Sequence, residues 1–220
     1  MNNYSKILNK RSLLLRNKAY QQFILDIEGK KVAIPYRINI PPLEHPARQG
    51  KSSPEVILNQ LRKDAKSEDF NLKTATTEEI IQFMEEHKLG IDCSGFTYRM
   101  LEILCEELGM GNLQENGFDN VGRTNVLALT SSEHAIKINS FAEAQPGDII
   151  RLNSEDEIKH CVLIIEKRGS DFLYAQSSGI TKITGIHMDT IIGGQLPDEL
   201  NVYSYNTNAG DGIYRLKVLN

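Results

Sequence analysis

The chain has 220 residues, 40% hydrophobic and 25% charged, which are globular values and exclude a disordered or membrane-embedded chain. Twenty-five Lys and Arg against 29 Asp and Glu leave a formal charge of −4, too balanced for a nucleic-acid surface. The apolar runs span only a few residues each, which excludes a transmembrane helix and a membrane partner.

Residues 4–19 place Tyr4, Ile7, Leu8, Leu14 and Leu15 at helical spacing. Leu13 to Leu15 are hemmed by Arg11 and Arg16, so the segment is not the apolar region of a signal peptide. FILDIEGKKVAIPY then predicts two short strands around Glu28-Gly29-Lys30, and the proline-rich NIPPLEHPARQGKSSP predicts a loop. Two helices follow. The first is capped by Ser52 or Ser53 with Pro54 in its opening turn; the second opens on the capping box Thr76-x-x-Glu79 and stops at Gly90. A third helix runs from about Cys93 to Leu108, with Phe96, Met100, Leu101, Leu104 and Leu108 on one face, the pattern of a buried central helix.

Beyond it, NVLALT predicts a strand and SFAEAQPGD a turn. IIRL and HCVLII form a hairpin across the polar turn NSEDE; FLYAQ, ITKITGI and IYRLKVL complete the strands. Helices first and strands afterwards define an α+β fold with an antiparallel sheet, here as one domain over residues 1–220. Glu85-Glu86 and Glu155-Asp156-Glu157 fit solvated positions.

The chemistry concentrates at Gly90-Ile91-Asp92-Cys93-Ser94-Gly95-Phe96. A cysteine at a helix start meets unpaired N–H groups and the positive end of the helix dipole, both of which favour the thiolate. The small residues Ser94 and Gly95 leave room for a substrate carbonyl, and the free N–H groups suit an oxyanion. A thiol nucleophile needs a base. His160 opens the strand HCVLII, where alternation sets His160, Val162 and Ile164 on one face and Cys161, Leu163 and Ile165 on the other. If the His160 face packs on the Cys93 helix, the imidazole reaches the helix start. On the next strand, Gln176 or Tyr174 is placed to bond the second ring nitrogen.

Asp92-Cys93-Ser94-Gly95-Phe96, the Pro146-Gly147-Asp148 turn and His160 before an apolar strand together resemble the NlpC family of papain-like cell-wall cysteine peptidases. The likeness covers roughly residues 90–184. It implies a papain-like fold, with a central helix bearing the nucleophile packed on the antiparallel sheet and extra helices before it. It also implies Cys93 as nucleophile, His160 as base, a polar residue of the following strand as its orienting partner, and amide hydrolysis in peptidoglycan stem peptides beside a γ-linked D-glutamate. The family's third residue is His, Asn or Gln, where this chain offers Tyr174 or Gln176. The family's tyrosine, in P-Y-x-x-G-G, has its counterpart in Pro35-Tyr36-Arg37, without the glycine pair and with two predicted helices between Tyr36 and Cys93.

Tyr36 is therefore read both as an oxyanion donor and as a strand tyrosine at the core margin. Asp92 reads as the helix cap, and Cys105 and Cys161 as packing residues. Residues 41–90 form a helical insertion expected to flank or cover the cleft. The expected partner is a peptide or peptidoglycan fragment; no protein partner is indicated. The same site would also serve an acyltransferase, and a binding module could keep the scaffold without turnover. With no C-x-x-C pair, no H-x-x-x-H, no Walker loop and no G-x-G-x-x-G, neither a metal nor a cofactor is expected. His45, His87, His134 and His187 receive no role. Three cysteines without an export signal fit reduced thiols in a cytoplasmic compartment.

Overall fold

The computed structural model describes residues 3–39, 45–153, 159–203 and 205–220. Helix α1 (Asn3–Leu14) continues through a wide π-type turn at Leu15–Ala19 and a 3-10 turn at Tyr20–Phe23. Strands β1 (Ile24–Ile27) and β2 (Lys30–Ala33) form the expected hairpin. Glu28 and Gly29 both take positive φ (52° and 82°), the backbone twist that a two-residue connection between strands demands.

Part of the proline-rich loop, residues 40–44, lies outside the described residues; His45 onward forms a short 3-10 turn, Pro46–Arg48. Helix α2 (Pro54–Ser67) is capped by the Ser53 side chain, and α3 (Thr77–Glu86) by the reciprocal Thr76–Glu79 box. Helix α4 (Cys93–Glu107) is buried along most of its length. NVLALT is a correction: it forms a single helical turn, α5 (Val126–Leu129), because the Asn125 side chain accepts from the Ala128 N–H and caps it.

Six strands then make one antiparallel sheet: β3 (Ala135–Ile138), β4 (Ile149–Asn153), β5 (Lys159–Arg168), β6 (Asp171–Ser178), β7 (Gly185–Ile191) and β8 (Gly212–Leu216), in the order β3-β8-β4-β5-β6-β7. The turn expected at NSEDE falls almost entirely on residues 154–158, outside the described residues. The strand expected at ITKITGI begins only at Gly185 and runs on through His187 and Asp189. An α+β fold with an antiparallel sheet is what the chain adopts.

The two faces of the sheet bury separate cores. Cys161, Leu163 and Ile165 join Phe96, Met100, Leu101 and Leu104 of α4 in one. Val162, Ile164 and Tyr174 join Ile150, Leu152, Leu200 and Tyr203 in the other. The helix therefore covers the Cys161 face, not the His160 face anticipated from alternation. The opposite face is closed by the short segment around Asp198–Val202. Among the described residues, no helix is long and apolar enough to cross a membrane.

Candidate active site

Asp92 fixes the start of α4. Its Oδ1 accepts from the Gly95 N–H at 2.6 Å, from Lys51 Nζ at 2.8 Å and from the Ser94 hydroxyl at 3.2 Å. Lys51 also donates to the Ser94 hydroxyl. Lys51 and Asp92 are almost wholly buried, and burial pushes the Asp92 carboxyl up to about 6, with Lys51 pulling against that rise and Cys93 adding to it. These bonds hold residues 50–51 against the helix start. They also commit the Gly95 N–H, so the first-turn donors left for an oxyanion are those of Cys93 and Ser94.

Gly95 therefore has a different role from the one its size suggested. A Cβ there would lie 2.6 Å from the Gly50 carbonyl oxygen, so its smallness admits a neighbouring strand of chain rather than a substrate. The Ser94 hydroxyl is likewise engaged by Asp92 and Lys51.

Cys93 stands where β5 begins. Its Sγ lies 4.0 Å from the Lys159 carbonyl oxygen, and the Cys161 and His160 side chains are close enough to act on its ionisation. The first residues of β5 thus reach the sulfur from both faces of the sheet. The hydrogen bond from Cys161 is the largest influence holding the Cys93 thiol well below the ordinary thiol range. A bond and the charge of His160, and the charge of Lys51, act in the same direction, against burial. Cys161 is pushed well above that range, first by burial and then by its bond to Cys93, and its sulfur also meets Thr97 Oγ1 at 3.4 Å. Cys161 is a core residue as expected, but the face it shares with Leu163 is the one α4 covers, so it lies on the Cys93 side of the sheet. Cys105, buried in the last turn of α4, is pushed up to about 11 by burial.

His160 Nε2 lies 2.6 Å from Gln176 Oε1. Of the two candidates for an orienting partner, Gln176 is the one that touches the ring. The Tyr174 hydroxyl instead donates to Glu199 Oε1 at 3.0 Å. Gln176 Nε2 donates to that same oxygen at 2.6 Å, and His187 Nε2 lies 2.9 Å from both. Tyr203 stacks on the His160 ring, centroids 4.2 Å apart and planes within 4°, and its hydroxyl bonds Ser178 at 2.8 Å.

Tyr36 arrives through a parallel bridge to Ile91, closed by Ile91 N–H to Pro35 O and Arg37 N–H to Ile91 O. It is half-buried at the cleft wall, and burial first, then the charges at Cys93 and Asp92, push its hydroxyl well above the ordinary tyrosine range. It remains a proton donor at neutral pH. The cleft holds about 480 Å³ and exposes Cys93 among Tyr36, Ile38, Lys51, Arg123, Val126 and Lys159. Neither α2 nor α3 lines it; α3 packs on β2 instead. Among its described residues, the insertion contributes Lys51 to the cleft and no helical cover.

Four residues of this arrangement escape sequence reasoning: Lys51, His187, Glu199 and Tyr203. Only His187 carries a usable signal, because it pairs with Gln176 across β6 and β7. Comparisons with family models, with curated proteins and with solved structures find no match to this chain.

Proposed function

We propose that the chain is a cysteine hydrolase with a papain-like arrangement of the NlpC type, cleaving amide bonds in peptidoglycan stem peptides or related γ-glutamyl peptides. The observation that carries this reading is a cysteine at a helix N-terminus on a cleft wall, beside a histidine whose Nε2 is 2.6 Å from Gln176 Oε1 and whose charge favours the thiolate. In the reaction, the Cys93 thiolate attacks the scissile carbonyl carbon. His160 holds the thiol proton and delivers it to the leaving amine as the thioester forms. Water, deprotonated by His160, then releases the acid and restores the thiol. The Cys93 N–H faces the developing oxyanion, with the Tyr36 hydroxyl as a second donor from the cleft wall. Exposed Arg123 and Lys159 on the cleft suit a substrate carrying free carboxylates.

The test is mass spectrometry of a stem peptide, L-Ala-γ-D-Glu-diaminopimelate, incubated with the wild-type chain and with Cys93→Ala. New amine and acid termini in the first and none in the second are expected, a loss of roughly a thousand-fold or more. An intact peptide and intact muropeptides with wild type, although Cys93 alkylates readily, would remove the hydrolase reading. Adding hydroxylamine separates hydrolysis from acyl transfer: a hydroxamate that outweighs free acid favours transfer.

A further inference from the structure

The hydrogen bonds around Gln176 extend the base beyond the Cys93–His160–Gln176 triplet. A glutamine amide looks nearly the same either way round, and only its neighbours decide which end faces the histidine. Here the neighbours at the far end are a carboxylate and His187 Nε2, itself 2.9 Å from the same carboxylate oxygen, and of the two only the carboxylate is an acceptor whatever the tautomer of the imidazole. Glu199 Oε1 accepts from Gln176 Nε2 at 2.6 Å and from the Tyr174 hydroxyl at 3.0 Å. Its side chain is only 12% exposed, and Gln176 is fully buried. Turning the amide over would set oxygen against oxygen at a buried position, a costly contact.

Resting on the reading of His160 as the base, we infer that Glu199 is a positioning residue that fixes the Gln176 amide and, through it, the tautomer of His160. With Gln176 Oε1 facing His160, the Nε2 it meets at 2.6 Å must carry a proton. The lone pair that accepts the Cys93 proton is then on Nδ1. Without Glu199 the amide gains a second orientation, which offers N–H to Nε2 and drives the proton onto Nδ1, where the imidazole cannot act as a base toward sulfur. Tyr203, stacked on the ring, restricts rotation about the ring axis but has no preference between tautomers, so the choice falls to the amide.

The experiment reads the tautomer directly, by long-range proton–nitrogen correlation on the full-length chain with 15N-labelled histidine. It uses a Cys93→Ala background at pH 9, where ordinary imidazoles are neutral. The parent shows His160 protonated at Nε2 alone. Glu199→Met is expected to give a mixture of the two tautomers. Glu199→Gln, whose side-chain oxygen still accepts from Gln176 and Tyr174, restores the single form. In the Cys93 chain, Glu199→Met slows iodoacetamide alkylation of Cys93 at pH 7 on the order of ten-fold. Gln176→Met does the same, and adding Glu199→Met to it costs nothing more, because the two act in series. An unchanged tautomer in Glu199→Met, or additive losses in the double variant, would overturn the inference. If Glu199→Met does not fold, Glu199→Gln with Tyr174→Phe still tests it: removing the second donor loosens the new amide, and the mixture of tautomers should return. A chain that holds the single tautomer yet cleaves no peptide would sustain the positioning role while ending the hydrolase proposal.

Discussion

Cys93 and Cys105 lie at opposite ends of one buried helix, and their thiols are driven in opposite directions. Cys93 has the helix N-terminus, a bond from Cys161, His160 and the Lys51 charge; Cys105 has an apolar interior and is pushed up to about 11. Both are inside the protein, so burial alone decides nothing about reactivity. What separates them is whether the surrounding groups supply protons and positive charge faster than burial withdraws solvation.

The widest gap between the two should appear in alkylation. At pH 7 a thiol near 11 is thiolate about one part in ten thousand, so Cys93 should react with iodoacetamide on the order of a thousand-fold faster than Cys105. His160→Ala should erase most of that advantage, read by peptide mass spectrometry across pH 5–9. Equal rates at the two cysteines would dissolve the contrast.

Next in size is the Lys51–Asp92 pair, the brace beneath the reactive end. Lys51→Met should cost about 3 kcal/mol in urea unfolding, the penalty for stranding a buried partner. It should also raise Asp92 further from about 6, since Lys51 is what pulls it down. The same change raises Cys93, because the Lys51 charge favours its thiolate. A stability unchanged within 0.5 kcal/mol of wild type, on the order of a typical surface substitution, would show that the brace is dispensable.

The smallest effect concerns the unreactive end. Cys105 ionises near 8.5 when unfolded and at about 11 when folded, so between those values the native state holds more protons. Its contribution is fully present below about pH 8.5 and declines as pH rises, by roughly 1.4 kcal/mol for each pH unit in that window. Cys105→Ala should flatten the alkaline slope measured between pH 8 and pH 10; an unchanged slope would place the burden on other groups.

How much of this was legible depends on how far each signal travels along the chain. Helix starts are written within four residues, and Ser53-Pro54, Thr76-x-x-Glu79 and Asp92 each mark one. Strand β5 and strand β6 carry enough apolar residues to declare themselves. Strand β3 does not: four residues long, it exists because β8 pairs with it from far down the sequence. The edge strand β7 was misplaced because His187 and Asp189 interrupt its apolar pattern. NVLALT reads as a strand by composition, yet a local Asn125 cap outweighs β-propensity when no partner strand lies alongside.

At the site, Cys93, His160 and Gln176 were accessible because helix dipole, strand alternation and side-chain chemistry are local arguments. Which face of β5 meets α4 was not. That choice is made by packing, and it brings Cys161 to the Cys93 side of the sheet while His160 approaches only from the start of the strand. Glu199, Tyr203 and Lys51 come from irregular segments whose placement follows from the fold and from no periodicity. Tyr36 lines the same cleft as Cys93 because the chain returns from two intervening helices to bridge Ile91, a closure invisible in spacing.

The position of β8 has a consequence for the making of this protein. β8 pairs with β3 on one side and β4 on the other, so two strands synthesised earlier wait for residues 212–216 before the sheet is continuous. During translation, β3 and the facing edge of β4 are open pairing edges, the form in which nascent sheets recruit wrong partners. Because these contacts join distant parts of the sequence, the second half should fold slowly and only once the last strand is free of the ribosome. The helices before Cys93, whose caps are local, are under no such delay, so they and the Cys93 helix can form well before the strand that carries His160 is locked into a complete sheet.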